Sequence, residues 1–336
     1  MATQDKLKIE ERADKPKSFS DQVKDMLLSQ EGILGIILII TFVILSFSNE
    51  NFLTTRNLFN QGRLLAEIGL MALPMTYIII TGGIDLSVGS MLGLSAIMVG
   101  YSWENLGLPL EVAIVIGILV ACLGGFFNGL LIVRVKVPPL IMTLATLAFY
   151  RGLAQGISES RSVTGYPEWF FALGQGNTFG FPNQLWILLI FIIISIILLQ
   201  RTTLGRTLYA IGNNEVAARF SGLPVDRTLL LIYTFSGFMA GISGVIFVSR
   251  FTTTRSDMGS GLELDAIAAV VLGGTSIFGG KGTIVGTIIG LVMIQILKNG
   301  LAINGITGDA TIIVIGIVLI VAILVNNLIQ KLRQRQ

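Results

Sequence analysis

The chain has 336 residues, of which 53% are hydrophobic and only 13% charged, with 39 Gly and a mean hydropathy of +0.80. A soluble domain carries about a quarter charged residues, so this composition excludes a water-soluble globule and a disordered chain and predicts an integral membrane protein. It holds no His and a single Cys, Cys122, which removes imidazole catalysis, His or Cys metal clusters and an internal disulfide; the small charge surplus shows no basic face for nucleic acid.

In chain order, residues 1–31 form a charged N-terminal tail. Its mixed charge and lack of a small-residue cleavage site argue against a cleavable signal. Phe19, Val23, Met26 and Leu27 follow helical spacing, so 18–30 reads either as an amphipathic helix on the inner membrane surface or as an unstructured lead-in.

Segments free of Asp, Glu, Lys and Arg follow at 32–49, 68–84, 86–103, 112–133, 137–150, 169–200, 228–249, 266–280, 282–297 and 310–330. A bilayer-crossing helix needs about 20 residues. Pro182 and Asn183 divide the long 169–200 stretch into a Gly-rich loop and a helix over about 184–200. The fold class predicted is an all-α polytopic membrane bundle of about ten spanning or partly spanning segments, covering 32–330, with a tail at 331–336. With the N-terminus in the cytoplasm, 16 of the 23 Lys and Arg fall on that side, so both termini are expected inside.

A self-similarity recurs at an offset of 197 residues. Gly82-Gly83, Gly89 and Gly93-Leu94 correspond to Gly279-Gly280, Gly286 and Gly290-Leu291. In each copy an apolar helix is expected to enter a Gly-Gly break and another to leave it, a pattern of transporters. Gly89/Gly93, Gly286/Gly290, Gly125/Gly129 and Gly237/Gly241 have the spacing that lets helix backbones approach closely.

Few motifs carry chemistry. Asp85, at the first break, either binds a ligand hydroxyl or a cation, or caps the helix starting near Ser87. The run Gly279-Gly280-Lys281-Gly282-Thr283 lacks the Lys-Ser/Thr step of a phosphate loop, so no nucleotide hydrolysis is expected in this chain. Asp85 and Asp309 could suggest an intramembrane aspartyl protease, but the expected topology keeps them apart. Pro138-Pro139 suits a helix start, with Thr143, Thr146 and Arg151 following; Arg151 either lines a polar path or snorkels. In 201–227, Asn213 or Asn214 can cap a short helix over Glu215–Phe220 that Gly222 and Pro224 stop. This segment either docks on a cytoplasmic partner or merely connects.

Several ordered motifs resemble a known family. They are Thr81-Gly-Gly-Ile-Asp-Leu-Ser-Val-Gly89, Asn128-Gly129, Val137-Pro-Pro-Leu-Ile141, Thr143-Leu144 and Arg151-Gly152, then Gly205-Arg206, Ala210-Ile211-Gly212-Asn213-Asn214 and Glu263-Leu-Asp265 through Gly274. Over about residues 50–330 the chain resembles permease subunits of ribose-type ABC importers, which serve ribose, xylose, arabinose, galactose, rhamnose and autoinducer-2. The resemblance implies a transport subunit of the inner membrane rather than an enzyme, with no catalytic residue, metal or cofactor of its own. ATP and Mg would be bound by a separate cytoplasmic ABC ATPase. Other implied partners are a periplasmic or lipoprotein sugar-binding protein, a second copy or sister permease, and membrane lipid. Asp85, Asn128, Thr143, Arg151 and Asp265 become candidates for the translocation path or its gates. Arg206, Gly212, Asn213, Glu215 and Ala217 become candidates for an ATPase-coupling loop at 201–227. Two other readings of the residues are an ion-coupled transporter using Asp85 as its cation or proton site, and the aspartyl protease.

Overall fold

The computed structural model describes residues 30–306, together with 308, 310, 311, 313, 314, 316, 317 and 320. The expected surface helix at 18–30 lies outside this range apart from Gln30, as do Asp309, most of the last span at 310–330 and the tail at 331–336. Among the described residues there are twelve helices and one two-stranded hairpin. They are α1 (Gln30–Ser48), α2 (Thr55–Ile80), α3 (Val88–Glu104), α4 (Leu110–Arg134), α5 (Pro139–Ser158), α6 (Glu168–Gln175), β1 (Asn177–Thr178), β2 (Phe181–Pro182), α7 (Asn183–Arg201), α8 (Thr203–Asn213), α9 (Glu215–Phe220), α10 (Val225–Phe251), α11 (Leu262–Leu272) and α12 (Ile284–Ile303).

Seven of these, α1, α2, α4, α5, α7, α10 and α12, are long and apolar enough to cross a membrane. The chain folds as an all-α polytopic bundle. Helix α3 has 17 residues and α11 only 11, which accounts for the short charge-free runs in those regions. The expected loop before residue 184 needs correction: Glu168–Gln175 is helical and Asn177–Pro182 is a hairpin. Pro167 ends the preceding loop and supplies the start of α6, a signal outweighed in the sequence by the glycines on either side.

Helix α2 is the centre of the bundle. Every residue from Ala66 to Ile80 is buried, so its apolar character on all sides is satisfied by neighbouring helices rather than lipid. Helix α10 packs most extensively on α4, then on α3 and α2. The α4–α10 crossing is made by the paired glycines. A Cβ on Gly237 would meet Ala121 O and, at 2.9 Å, Gly125 N; one on Gly241 would lie 2.9 Å from Ile118 Cα. Lipid supplies no hydrophobic drive between helices, and such backbone approach replaces it with dispersion contact. Gly286 and Gly290 seat α12 against Gly273 and Ala269 in the same way.

Both glycine breaks are real, and they touch. The first separates α2 from α3 and the second α11 from α12. The Gly280 N–H donates to Ile80 O at 2.8 Å, and Gly280 holds φ +75, a left-handed conformation that glycine takes without steric cost.

Candidate translocation site and coupling segment

Asp85 lies in the first break, five residues beyond the end of α2, and is fully buried. Its Oδ1 accepts from the Ser87 N–H at 3.0 Å and the Ser87 hydroxyl at 2.6 Å, and its Oδ2 accepts from the Ser236 hydroxyl at 2.8 Å. The bond to Ser87 N closes a side-chain turn immediately before α3, whose cap residue is Ser87. The bond to Ser236, midway along α10, adds a long-range tie. None of these partners is cationic, and the carboxylate is held by neutral donors alone.

The cluster extends to two more helices. Asn128 Nδ2 on α4 donates to Ser87 Oγ at 2.8 Å. The Tyr150 hydroxyl on α5 lies 2.8 Å from Gly124 O and 3.1 Å from Asn128 Oδ1. Thr143 Oγ lies 2.9 Å from Ile84 O and 3.0 Å from its own helical Pro139 O, sharing one proton between them. Asp85, Ser87, Asn128, Thr143 and Ser236 are all closed to solvent. Three of the five expected path residues therefore converge on one hub that joins the first break to α4, α5 and α10.

The other two stand apart. Arg151 shares no hydrogen bond with that hub: its Nη1 donates to Ser256 O at 2.6 Å and Met258 O at 2.7 Å and its Nη2 to Gly89 O at 3.5 Å, fastening the loop after α10 to α5 and α3. In that loop Arg255 hydrogen-bonds Asp257, and this contact holds the Asp257 carboxyl below its ordinary pKa. Asp265 pairs with Lys298 at 2.5 Å and ties α11 to α12.

The 201–227 segment contains two helices, α8 and α9, where one was expected. Asn214 is the cap of α9, accepting from Ala217 N at 2.9 Å, and α9 ends at Phe220 as its flanking residues predict. Asn213 instead donates to Tyr209 O. Gly212 lies against both Ile80 O and Gly280 N, leaving no room for a Cβ. The Tyr209 hydroxyl donates to Gly282 O at 2.7 Å. The end of α8 is thus seated on both glycine breaks at once. Arg206, Glu215 and Ala217 are exposed. Glu215 pairs with Arg219 at 2.8 Å, Arg219 with Asp226 at 2.5 Å, and Asp226 with Lys136 at 3.5 Å. The Asp226 and Glu215 hydrogen bonds raise the pKa of the Arg219 guanidinium.

Residues 57–323 match the sequence profile of a family described as branched-chain amino acid transport system / permease component. The chain belongs to this permease family. It is 40% identical over 292 residues to the ribose import permease protein RbsC of Bacillus subtilis (strain 168), covering 86% of this chain and 90% of that one. RbsC of Escherichia coli (strain K12) is 37% identical over 311 residues, 90% and 95% of the two chains. The autoinducer 2 import system permease protein LsrD of Photorhabdus luminescens is 35% identical over 299 residues, 87% and 90% of the two chains. No solved structure matches. The permease is a multi-pass membrane transport subunit, not an enzyme. Neither the ion-coupled reading nor the protease reading finds support among these relatives.

Ser236, Tyr150, Tyr209, Asp226 and Lys136 escaped the reading of the permease sequence. Each is an ordinary residue on a helix or turn, and its role comes from the partner it meets. Ser87 had a signal, two residues after Asp85 at a helix start, where a carboxylate and a hydroxyl commonly share capping.

Proposed function

We propose that this permease carries a monosaccharide or similar small polyol across the inner membrane as the membrane subunit of an ATP-driven importer. It would work by alternating access between two packings of the bundle. The observation that supports this most directly is the seat of Gly212 on both Ile80 O and Gly280 N. A push on α8–α9 from a cytoplasmic ATPase would move the break that carries Asp85 and the break that leads into α12 together. The relatives named for ribose and autoinducer-2 import support the cargo class. A neutral polyol needs few fixed charges and several neutral hydrogen-bonding groups.

In this reading the cytoplasmic ATPase binds ATP and Mg, and a periplasmic or lipoprotein binding protein delivers the cargo. A second copy or a sister permease completes the pore. Both termini are cytoplasmic; 1–31 and 331–336 are tails, 32–330 is the permease domain and 201–227 its coupling loop. Arg206, Gly212, Asn213, Glu215 and Ala217 face or support the ATPase. Asp85, Asn128 and Thr143 set the packing of the path, while Arg151 and Asp265 brace its outer loop and the α11–α12 pair.

The test is purification of the tagged chain from its native operon in mild detergent, followed by reconstitution with whatever accompanies it. A copurifying ATPase whose hydrolysis drives labelled ribose or autoinducer-2 into vesicles supports the reading. A chain that never associates with an ATPase, in any nucleotide state, overturns it.

A further inference from the structure

The hairpin between α6 and α7 holds an arrangement that the packing of the bundle does not explain. Its two-residue tip is Phe179-Gly180, with φ +51 and φ +79. Tight hairpin turns of this kind need left-handed residues at both positions, and Asn-Gly is the usual pair. Here a bulky aromatic holds the first position against its steric preference. Its ring is 89% exposed, among the most exposed apolar side chains described. An observed backbone outlier that presents a side chain is a reason to look for what receives it.

The neighbours point to the receiver. Trp186, in the first turn of α7, meets Phe179 edge-on at 6.3 Å and Phe181 edge-on at 6.4 Å. Its indole N–H donates to Thr178 O at 3.1 Å, so the polar edge of the ring is turned to the hairpin backbone. The exposed face of α7 then continues as Leu189, Ile190, Ile193, Ile194 and Ile197, at helical spacing along a membrane-crossing helix. This stripe is exposed along a helix long and apolar enough to cross a membrane, and the aromatic patch lies at its start. From the other side, Arg63 Nη2 donates to Gln175 O at 2.9 Å and Asn177 Oδ1 at 3.3 Å, pinning the base of the hairpin to α2.

We propose that the 177–182 hairpin is an interfacial anchor that seats the Phe179 ring in the headgroup–acyl boundary of the membrane at the start of α7. Aromatic side chains partition to this boundary, where an apolar ring is covered while adjacent polar groups stay wet. The transfer of the ring out of water compensates for the strained turn. Fixed at one end to α2 and at the other to lipid, the hairpin holds α7 at a defined depth while the rest of the bundle repacks.

The test uses the full chain in lipid nanodiscs, with Cys122→Ala as background and a polarity-sensitive fluorophore on Phe179→Cys. Val216→Cys on α9 is the water-facing reference. The expected result is several-fold stronger quenching of the label at 179 by lipids bearing a nitroxide near the headgroup, and several-fold weaker quenching by aqueous iodide. Equal iodide quenching at both sites overturns the proposal, and so does protection at 179 that appears only when an extracytoplasmic binding protein is added. Phe179→Gly separates lipid contact from folding, since glycine takes this turn without strain. A detergent micelle covers the ring as a bilayer does, so the comparison is made in nanodiscs alone, where losing the ring is expected to offset the relieved turn and leave the unfolding temperature unchanged or lower. A clear gain in unfolding temperature in nanodiscs overturns the proposal.

Discussion

Asp85 shows what a buried carboxylate in a transport protein needs. It satisfies its oxygens with one backbone and two hydroxyl donors from two segments, because an unpaired charge inside the bundle would be costly. Asp85→Ala leaves those three buried donors without an acceptor, at about 1–3 kcal/mol each. Its unfolding temperature in detergent should fall well below that of Asp85→Asn, which keeps one acceptor oxygen. Uptake at matched membrane abundance should fall for both variants, since each weakens the tie between the first break and α10. The pair of buried Glu67 and partly buried Arg250 gives a second contrast. Arg250 Nε and Nη2 reach the two Glu67 oxygens at 2.5 and 2.8 Å, joining α2 to α10. Glu67→Ala strands the guanidinium and should cost about 3–5 kcal/mol, whereas replacing both partners by Leu and Met should cost far less. Thermal unfolding of the single and double variants checks this.

Among the elements, the α4–α10 crossing and the α8 seat depend on the absence of a side chain. Gly237→Ala forces a Cβ into the α4 backbone at Ala121 and Gly125. Overpacking of this kind costs about 1–3 kcal/mol or more. Gly125→Ala clashes at the same contact, so the double variant should cost less than the sum of the two, as read from unfolding temperatures. The seat of α8 on the breaks gives a functional counterpart: a Cβ in Gly212→Ala must lift α8 off the breaks, so at matched membrane abundance the variant should uncouple the partner's ATP hydrolysis from uptake. Asp226 ties α9, α10 and the turn before α5 through Arg219 and Lys136. These charges are half exposed and so screened by salt. Asp226→Asn should therefore lower the ratio of uptake to hydrolysis at low ionic strength, and the difference from wild type should narrow as salt rises.

For the whole molecule, the proposed importer takes its energy and its cargo from other subunits. The one stretch resembling a phosphate loop, 279–283, is a glycine break held against Ile80 and Gly212. Vesicles containing this permease alone should show no ATP-dependent uptake, and uptake should appear only when the ATPase, binding protein and pore partner are supplied together. The two breaks are joined by the Gly280–Ile80 hydrogen bond and by Gly212 packed on both, which makes the end of α2 and the lead into α12 one mechanical unit. Rearrangement at the breaks is then expected as a shift of that unit rather than as independent motion of its halves.

Composition and charge placement were enough to read an all-α membrane bundle, because excluding charge from hydrocarbon leaves a mark on every span. Local chemistry was equally legible: Pro138-Pro139 at a helix start, a cap at Asn213 or Asn214, and Gly125 and Gly237 as close contacts. Each of these depends on a residue's own backbone preference or size. The convergence of Asp85, Asn128 and Thr143, and the departure of Arg151 and Asp265 into separate pairings, could not be read that way. Hydrogen bonds between Asp85 and Ser236, or between Gly280 and Ile80, join residues more than 150 positions apart. No local propensity records which distant donor a carboxylate or a carbonyl will meet, so only the packed bundle decides it.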